Sequence, residues 1–244
     1  MTIRDIEIAG RKLVIHELDD VCDSATGRAL TGSWIWDSAF VLSEWMATRS
    51  LVEFDFQGKI VLELGAGTGL PGMTAALLGA SRVLLTDVEP LVPGLKKNIE
   101  ANGHGDRVEV SQLVWESDEL PSQLGELGEV DLVLMSDVFF GTTEMAALAK
   151  TLKKVCGKET VVWAASEVRP WTSECLNVLV SEGFGVIELP NQLSQSISSS
   201  ETESSSEVFA VFYLIPFPPH QVYEPFEEWY EDHQNGNAID VEFT

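Results

Sequence analysis

Short apolar runs alternate along this chain with longer stretches in which apolar positions recur every three or four residues. Ile3–Ile8 and Lys12–Leu18 alternate polar and apolar positions around Ala9-Gly10, which predicts a hairpin. Trp36–Thr48 follows a helical period, with Ala39, Phe40, Leu42 and Met46 among its apolar positions. Lys59–Leu64 is a compact apolar strand, and Pro71 near the next start predicts a helix ending around Gly79. Arg82–Thr86 then reads as a strand, and Pro93–Asn102 as a helix stopped by Gly103. Strands over Arg107–Val114 and Val130–Ser136, a helix over Thr142–Cys156 and a strand over Thr160–Ala165 come next. A helix over Ser173–Glu182 ends at Gly183, and Gly185–Leu189 and Val208–Ile215 are the last strands.

Strand and helix alternating at this spacing predict an α/β fold: a seven-stranded, mostly parallel sheet with helices on both faces. No helix separates the last two strands, so the final one should run antiparallel. Their connection, 191–207, is serine-rich and of low complexity and reads as a disordered loop. Residues 1–31 read as an N-terminal hairpin extension and 217–244 as an acidic C-terminal tail. No linker divides the chain, so 1–244 is expected to form one domain.

Composition narrows the setting. The 244 residues carry a formal net charge of -24, with 45% hydrophobic residues. Such a charge repels phosphate backbones, so nucleic acid is an unexpected partner, and a basic protein surface a more natural one. The same charge also serves plain solubility. No apolar run approaches the ~18 residues of a membrane span. Met1–Asp5 has no apolar signal core, and its acids argue against a transit peptide. Cys22, Cys156 and Cys175 are odd in number and widely spaced, which fits neither a disulfide framework nor a zinc site. The expected location is the cytoplasm, with the nucleus as a further compartment.

The chemistry starts after the Lys59–Leu64 strand. Glu63-Leu64-Gly65-Ala66-Gly67-Thr68-Gly69 lies between a strand and a helix, where open α/β sheets bind ligands. Glycines there let backbone turn sharply and approach a ligand closely. The dinucleotide fingerprint fails, because its third glycine position is Leu70. The phosphate loop fails too, for want of Gly-Lys-Ser/Thr. Asp87 ends the next strand about 20 residues on, where a carboxylate can accept ribose hydroxyls. The alternative for Asp87 is a helix cap. Together the two features point to a nucleoside ligand.

From Gly32 to about Ile215 the sequence resembles the protein-lysine methyltransferases of methyltransferase family 16, which have a seven-β-strand, class I, Rossmann-like fold. The resemblance is carried by several segments. Gly32-Ser33-Trp34-Ile35-Trp36-Asp37-Ser38-Ala39 precedes the first helix. Val61 to Leu70 holds the glycines. Leu85-Thr86-Asp87 is followed by Asn98-Ile99-Glu100-Ala101-Asn102. Val114-Trp115 and Asp131 to Phe140 complete the set. It implies S-adenosyl-L-methionine as cofactor, bound by Trp36, Gly65, Ala66, Gly67, Asp87, Trp115 and Ser136. Trp115 would cover the adenine, and Trp36 would face the sulfonium end. Glu63 has two readings, the ammonium end of the cofactor or a cap on the glycine turn. Asp137 would orient the target amine. The family's Asp-x-x-Tyr motif stands here as Asp137-Val138-Phe139-Phe140, so Phe140 replaces a hydroxyl with a plain aromatic wall. One of Phe139 and Phe140 is expected in the core.

The implied reaction is direct methyl displacement on a lysine nitrogen of a non-histone protein, with no metal required. Two alternatives stay open: a small-molecule or protein-histidine methyltransferase on the same fold, and a non-catalytic cofactor-binding protein. Other groups read as structural. Cys156 and Cys175 fall on helices and are expected to be buried thiols. His104 reads as a solvated loop residue. Arg169-Pro170-Trp171 lies near the expected cleft mouth and has two readings, a contact with the substrate or a helix start at Pro170. Glu224–Asp232, with Trp229 and Tyr230, reads as a packed terminal helix or a dock for a basic partner.

Overall fold

A computed structural model describes residues 1–19, 21–23, 26–49, 52–190 and 208–216. The serine-rich loop and the acidic tail, read above as 191–207 and 217–244, lie outside the described residues. The N-terminal hairpin is β1 (Thr2–Ile8) and β2 (Arg11–Glu17), paired antiparallel with Ile8 opposite Arg11. The following elements are α1 (Asp37–Arg49), β3 (Ile60–Leu64), α2 (Leu70–Leu78), β4 (Arg82–Asp87) and α3 (Val92–Asn102). Then come β5 (Val108–Gln112), α4 (Ser122–Leu127), β6 (Leu132–Ser136), α5 (Thr142–Val155), β7 (Val161–Glu167), α6 (Thr172–Ser181), β8 (Gly185–Leu189) and β9 (Phe209–Ile215).

Among the described residues the main sheet has seven strands, in the order β5-β4-β3-β6-β7-β9-β8. β5, β4, β3, β6 and β7 pair in parallel, and β9 is antiparallel to both β7 and β8. The expected antiparallel last strand is therefore present, and it inserts between β7 and β8. The central strands are apolar throughout because helices cover both faces. Alternate residues of each strand point to opposite faces. Leu62, Leu64, Val133 and Met135 pack with Leu148, Leu152 and Leu176 of α5 and α6. Val61, Leu132 and Leu134 pack with Leu42, Trp45, Ala75 and Ile99 of α1, α2 and α3. Glu63 falls on that second face, an acid among apolar neighbours.

Most element boundaries lie within one or two residues of those expected. β5 is shorter at both ends than Arg107–Val114, and β6 starts two residues after Val130. The short helix α4 had no sequence signal strong enough to predict it; its six residues bury only Leu124 and Leu127. His104 is a correction: it is buried, 7% exposed, where a solvated residue was expected. The turn after Gly103 folds back on α3, with the His104 amide donating to the Ile99 carbonyl at 3.2 Å. Burial pushes its imidazole below the ordinary pKa.

The hairpin is bolted to the domain by side-chain amides. Asn102 of α3 bonds both the N–H and the carbonyl of Val14, each at 2.8 Å. Ile8, Leu13 and Ile15 meanwhile pack on Ala39, Leu70 and Met73. Among the described residues, no helix is long and apolar enough to cross a membrane.

Candidate active site

A cleft of about 630 Å³ opens at the carboxyl ends of β3, β4 and β6. Parallel strands whose connections leave in different directions create such a crevice. Of the expected site residues, Trp36, Gly65, Ala66, Gly67, Asp87, Trp115, Ser136, Asp137 and Phe140 all line it. Glu63 does not.

The glycine turn forms one wall. Gly65, Gly67 and Gly69 have φ of 63°, 55° and 81°, a region that favours glycine. At Gly67 space matters as well: a Cβ would stand 2.8 Å from the carbonyl oxygen of Gly32. That contact brings the Thr31–Ser33 turn against the cleft. The Gly67 N–H donates to Asp87 Oδ2 at 2.8 Å, and the Val88 N–H donates to Asp87 Oδ1 at 2.7 Å. Asp87 thus shapes the turn as well as lining the cleft, and each of its oxygens keeps a lone pair. Burial raises its pKa, against the two backbone bonds, which lower it.

Glu63 sits behind this wall, fully buried. Its Oε2 accepts the Gly72 N–H at 2.9 Å in the first turn of α2. Among the described residues Oε1 has no hydrogen-bond partner. The Glu63 carboxylate bonds Gly72 in α2, outside the glycine turn at 65–69, and it does not line the cleft. Burial raises its pKa well above the ordinary carboxylate range, partly offset by the Gly72 bond, and nearby Asp87 raises it further.

Aromatic residues form the far side and mouth. Trp115 follows β5 and stacks on Phe140, with ring centroids 6.0 Å apart and planes 20° apart. Phe140 is 56% exposed, whereas Phe139 is buried against Phe212. The expected division between core and wall is therefore Phe139 and Phe140 respectively. Trp36 Nε1 donates to the Thr31 carbonyl at 3.1 Å, which fixes its ring at the entrance.

Asp137 follows β6 with φ of 54°, uncommon for a non-glycine residue though least so for Asp and Asn. Its N–H donates to the Ala165 carbonyl at 2.9 Å, which holds the turn to β7. Its Oδ1 accepts from Ser38 Oγ at 3.3 Å and from Arg169 Nη1 at 3.0 Å. Arg169 also lines the cleft, with its guanidinium 5.8 Å from the centroid of the Trp36 ring. Sequence reasoning placed Arg169 near the mouth but gave it no partner. The available signal was its position just past a parallel strand, where cleft residues gather. Leu91 and Leu113, also in the lining, carried no such signal, because an apolar residue between elements reads as core.

This arrangement suits an adenosyl ligand. An acid at a strand end can bind a diol, glycines admit close backbone contact, and flat rings can cover a base. Comparisons with known proteins agree. Residues 21–177, well over half of the chain, match the family model described as lysine methyltransferase. The chain is 36% identical over 159 residues to protein N-lysine methyltransferase METTL21A of Danio rerio, covering 64% of this chain and 69% of that protein. It is 33% identical over 155 residues to EEF1A lysine methyltransferase 3 of Mus musculus, covering 63% of each. Among solved structures, SMU.776 complexed with SAH superposes with a TM-score of 0.54 at 15% identity, covering 87% of this chain and 55% of that one. That last likeness concerns the fold alone. On the family match and the identity to these relatives, the chain belongs to the lysine methyltransferase family.

Proposed function

We propose that this chain transfers a methyl group from S-adenosyl-L-methionine to a lysine side chain of a non-histone protein. One observation carries the reading. In a member of the lysine methyltransferase family, a nucleoside-type wall, Asp87 and the glycine turn, shares one cleft with an acid and an exposed ring, Asp137 and Phe140. Relatives named as protein-lysine methyltransferases support the substrate class.

Gly65, Ala66, Gly67, Asp87, Trp115, Ser136 and Trp36 would hold the cofactor, which supplies a methyl group activated on a sulfonium. The chain's own task is then to align a nitrogen with that methyl, a matter of proximity and orientation. A free lysine, with a pKa of ~10.4, must shed its proton before its nitrogen can attack. The apolar walls of Phe140, Trp115 and Val138 disfavour the charged ammonium. Asp137 orients the amine through a hydrogen bond. Its carboxylate, held by Arg169 and Ser38, serves to position the amine.

The net charge of -24 favours acceptors with a basic surface around the target lysine. The free state of Cys22, Cys156 and Cys175 fits a reducing compartment, the cytoplasm or also the nucleus. The test is incubation of the full chain with methyl-labelled cofactor and a cell lysate, followed by acid hydrolysis of the protein fraction. Label in methyl-lysine is the expected result. Label in methyl-histidine or in small molecules, or no label at all, overturns the reading.

A further inference from the structure

Arg169 is held on two sides by acids and on a third by a ring. Its Nη1 lies 3.0 Å from Asp137 Oδ1, and its Nη2 lies 3.5 Å from Asp137 Oδ2. Nε donates to Glu167 Oε2 at 2.7 Å, and Nη2 approaches the same oxygen at 2.6 Å. The guanidinium plane also lies near Trp36. The side chains of Arg169 and Asp137 are 17% and 11% exposed, so water screens this pair weakly. The local chain prepares the residue for this: the Arg169 N–H donates to Thr172 Oγ1 at 3.0 Å, and that hydroxyl donates in turn to the Glu167 carbonyl at 3.1 Å.

A surface ion pair needs none of this anchoring. A planar fork with both edges occupied can set the orientation of a carboxylate as well as its charge. Asp137 Oδ1 already accepts two bonds, from Ser38 and Arg169. Among the described residues Oδ2 is held only by the 3.5 Å contact, so it is the oxygen left to a donor arriving through the cleft. We infer that Arg169 is a positioning residue for methyl transfer, a bridge from Glu167 that aims Asp137 Oδ2 at the incoming amine. The inference rests on the proposed lysine methylation and adds to it a residue that never touches the reacting atoms. A lysine at 169 would keep the charge and lose the fork, whereas a methionine would keep much of the volume and lose both.

The experiment compares the full-length unaltered chain with Arg169→Met and Arg169→Lys. Methyl-labelled cofactor and a lysate protein fraction of varied concentration give the maximal rate and the half-saturating acceptor concentration. Titration with S-adenosylhomocysteine gives cofactor-site affinity, and thermal unfolding checks the fold. A misaimed catalytic group can cost about a hundredfold in rate. The expected result is a fall of that order in maximal rate for Arg169→Met, and a smaller fall for Arg169→Lys. Half-saturation and S-adenosylhomocysteine affinity should stay within about threefold for both. A maximal rate near that of the unaltered chain in Arg169→Met overturns the inference. So does equal loss of rate and S-adenosylhomocysteine affinity, which makes Arg169 part of the cofactor wall. So does a rate loss matched by unfolding in both variants. Absence of any transfer by the unaltered chain overturns the proposed function and this inference together.

Discussion

Asp87 and Gly67 are joined by a 2.8 Å hydrogen bond from the glycine N–H to the carboxylate, across the base of the cleft. The acid on β4 therefore fixes the shape of the glycine turn after β3. Two functions converge on one side chain, since the same carboxylate faces the cleft. Asp87→Ala should remove both. Bonds to a charged acceptor contribute about 1.5–3 kcal/mol each, so affinity for S-adenosylhomocysteine should fall at least tenfold. Asp87→Asn keeps one acceptor oxygen and should lose less. Calorimetric titration of the two variants measures this, and unchanged affinity in Asp87→Ala removes Asp87 from the site.

Asn98 connects the hairpin to the same turn. Its side-chain oxygen accepts the His16 N–H at 2.8 Å, and its amide donates to the Thr68 carbonyl at 3.0 Å. Asn98 is almost wholly buried, so Asn98→Ala strands polar groups on both β2 and the glycine turn. An unsatisfied buried group costs about 1–3 kcal/mol. We expect a loss of that order or somewhat more in unfolding free energy, with weaker S-adenosylhomocysteine binding as Thr68 loosens. Denaturant unfolding and titration test the two effects; a stability loss alone would show that the hairpin does not brace the cofactor side.

Glu63 provides a pH prediction. Its folded pKa is raised well above 4.5, first by burial. Below the ordinary value it is protonated whether the chain is folded or not, and it costs nothing. As pH rises from there through the folded pKa, the unfolded chain loses its proton first, and stability falls. Glu63→Gln keeps an acceptor for the Gly72 N–H and cannot ionise. Its melting temperature relative to the unaltered chain should therefore increase steadily from about pH 5 towards neutrality. A difference that stays constant with pH would mean that Glu63 titrates as an ordinary carboxylate.

The sheet was legible because strands buried on both faces leave continuous apolar runs such as Val61-Leu62 and Val133-Leu134-Met135. The glycine turn and Asp87 were legible because strand, turn and acid lie near one another along the chain. Glu63 shows where that reasoning stopped. Sequence gives its neighbours along β3 but not the face it points to, and alternation sends it to α2, away from the cleft. Arg169 was hidden for a different reason. Its partners Asp137 and Trp36 are far away in sequence, and only the sheet order, which sets β7 beside β6, brings them together. α4 was missed because two buried leucines in six residues make too short a period to recognise.

The cysteines differ in accessibility and should differ in reactivity. Burial pushes the Cys156 thiol up to about 12 and the Cys175 thiol up to about 11, and both are buried, whereas Cys22 is exposed. Alkylation needs the thiolate. Iodoacetamide at about pH 8 should modify Cys22 in the native protein and spare the other two. Peptide mapping by mass spectrometry reads the sites, and prompt labelling of Cys156 would contradict its burial.

Asp137 is the residue on which the proposed chemistry rests most heavily. Truncation to alanine confuses two effects, because it removes the carboxylate and also places a residue that tolerates φ of 54° less well. Asp137→Asn separates them. Asparagine accepts the left-handed conformation about as readily as aspartate, and its side chain has the same shape. It can still take a hydrogen bond from Arg169, but its amide nitrogen puts a donor where the amine requires an acceptor. The proposed cofactor contacts lie elsewhere, on the glycine turn, Asp87 and Trp115. Methyl transfer in Asp137→Asn should therefore fall about a hundredfold or more, as when a catalytic group is present but misdirected. S-adenosylhomocysteine affinity should stay within about threefold, and the fold should survive because asparagine keeps a hydrogen bond from Arg169 and Arg169 keeps Glu167 as a charged partner. Phe140→Tyr is the companion variant. Its ring is exposed over Trp115, so a hydroxyl can be added without crowding the core, and activity should be kept or rise. Single-turnover transfer into a lysate protein fraction, run beside a binding titration, measures both variants. Full activity in Asp137→Asn would end the proposed role, and a matching loss of S-adenosylhomocysteine binding would move Asp137 from the amine side of the cleft to the cofactor side.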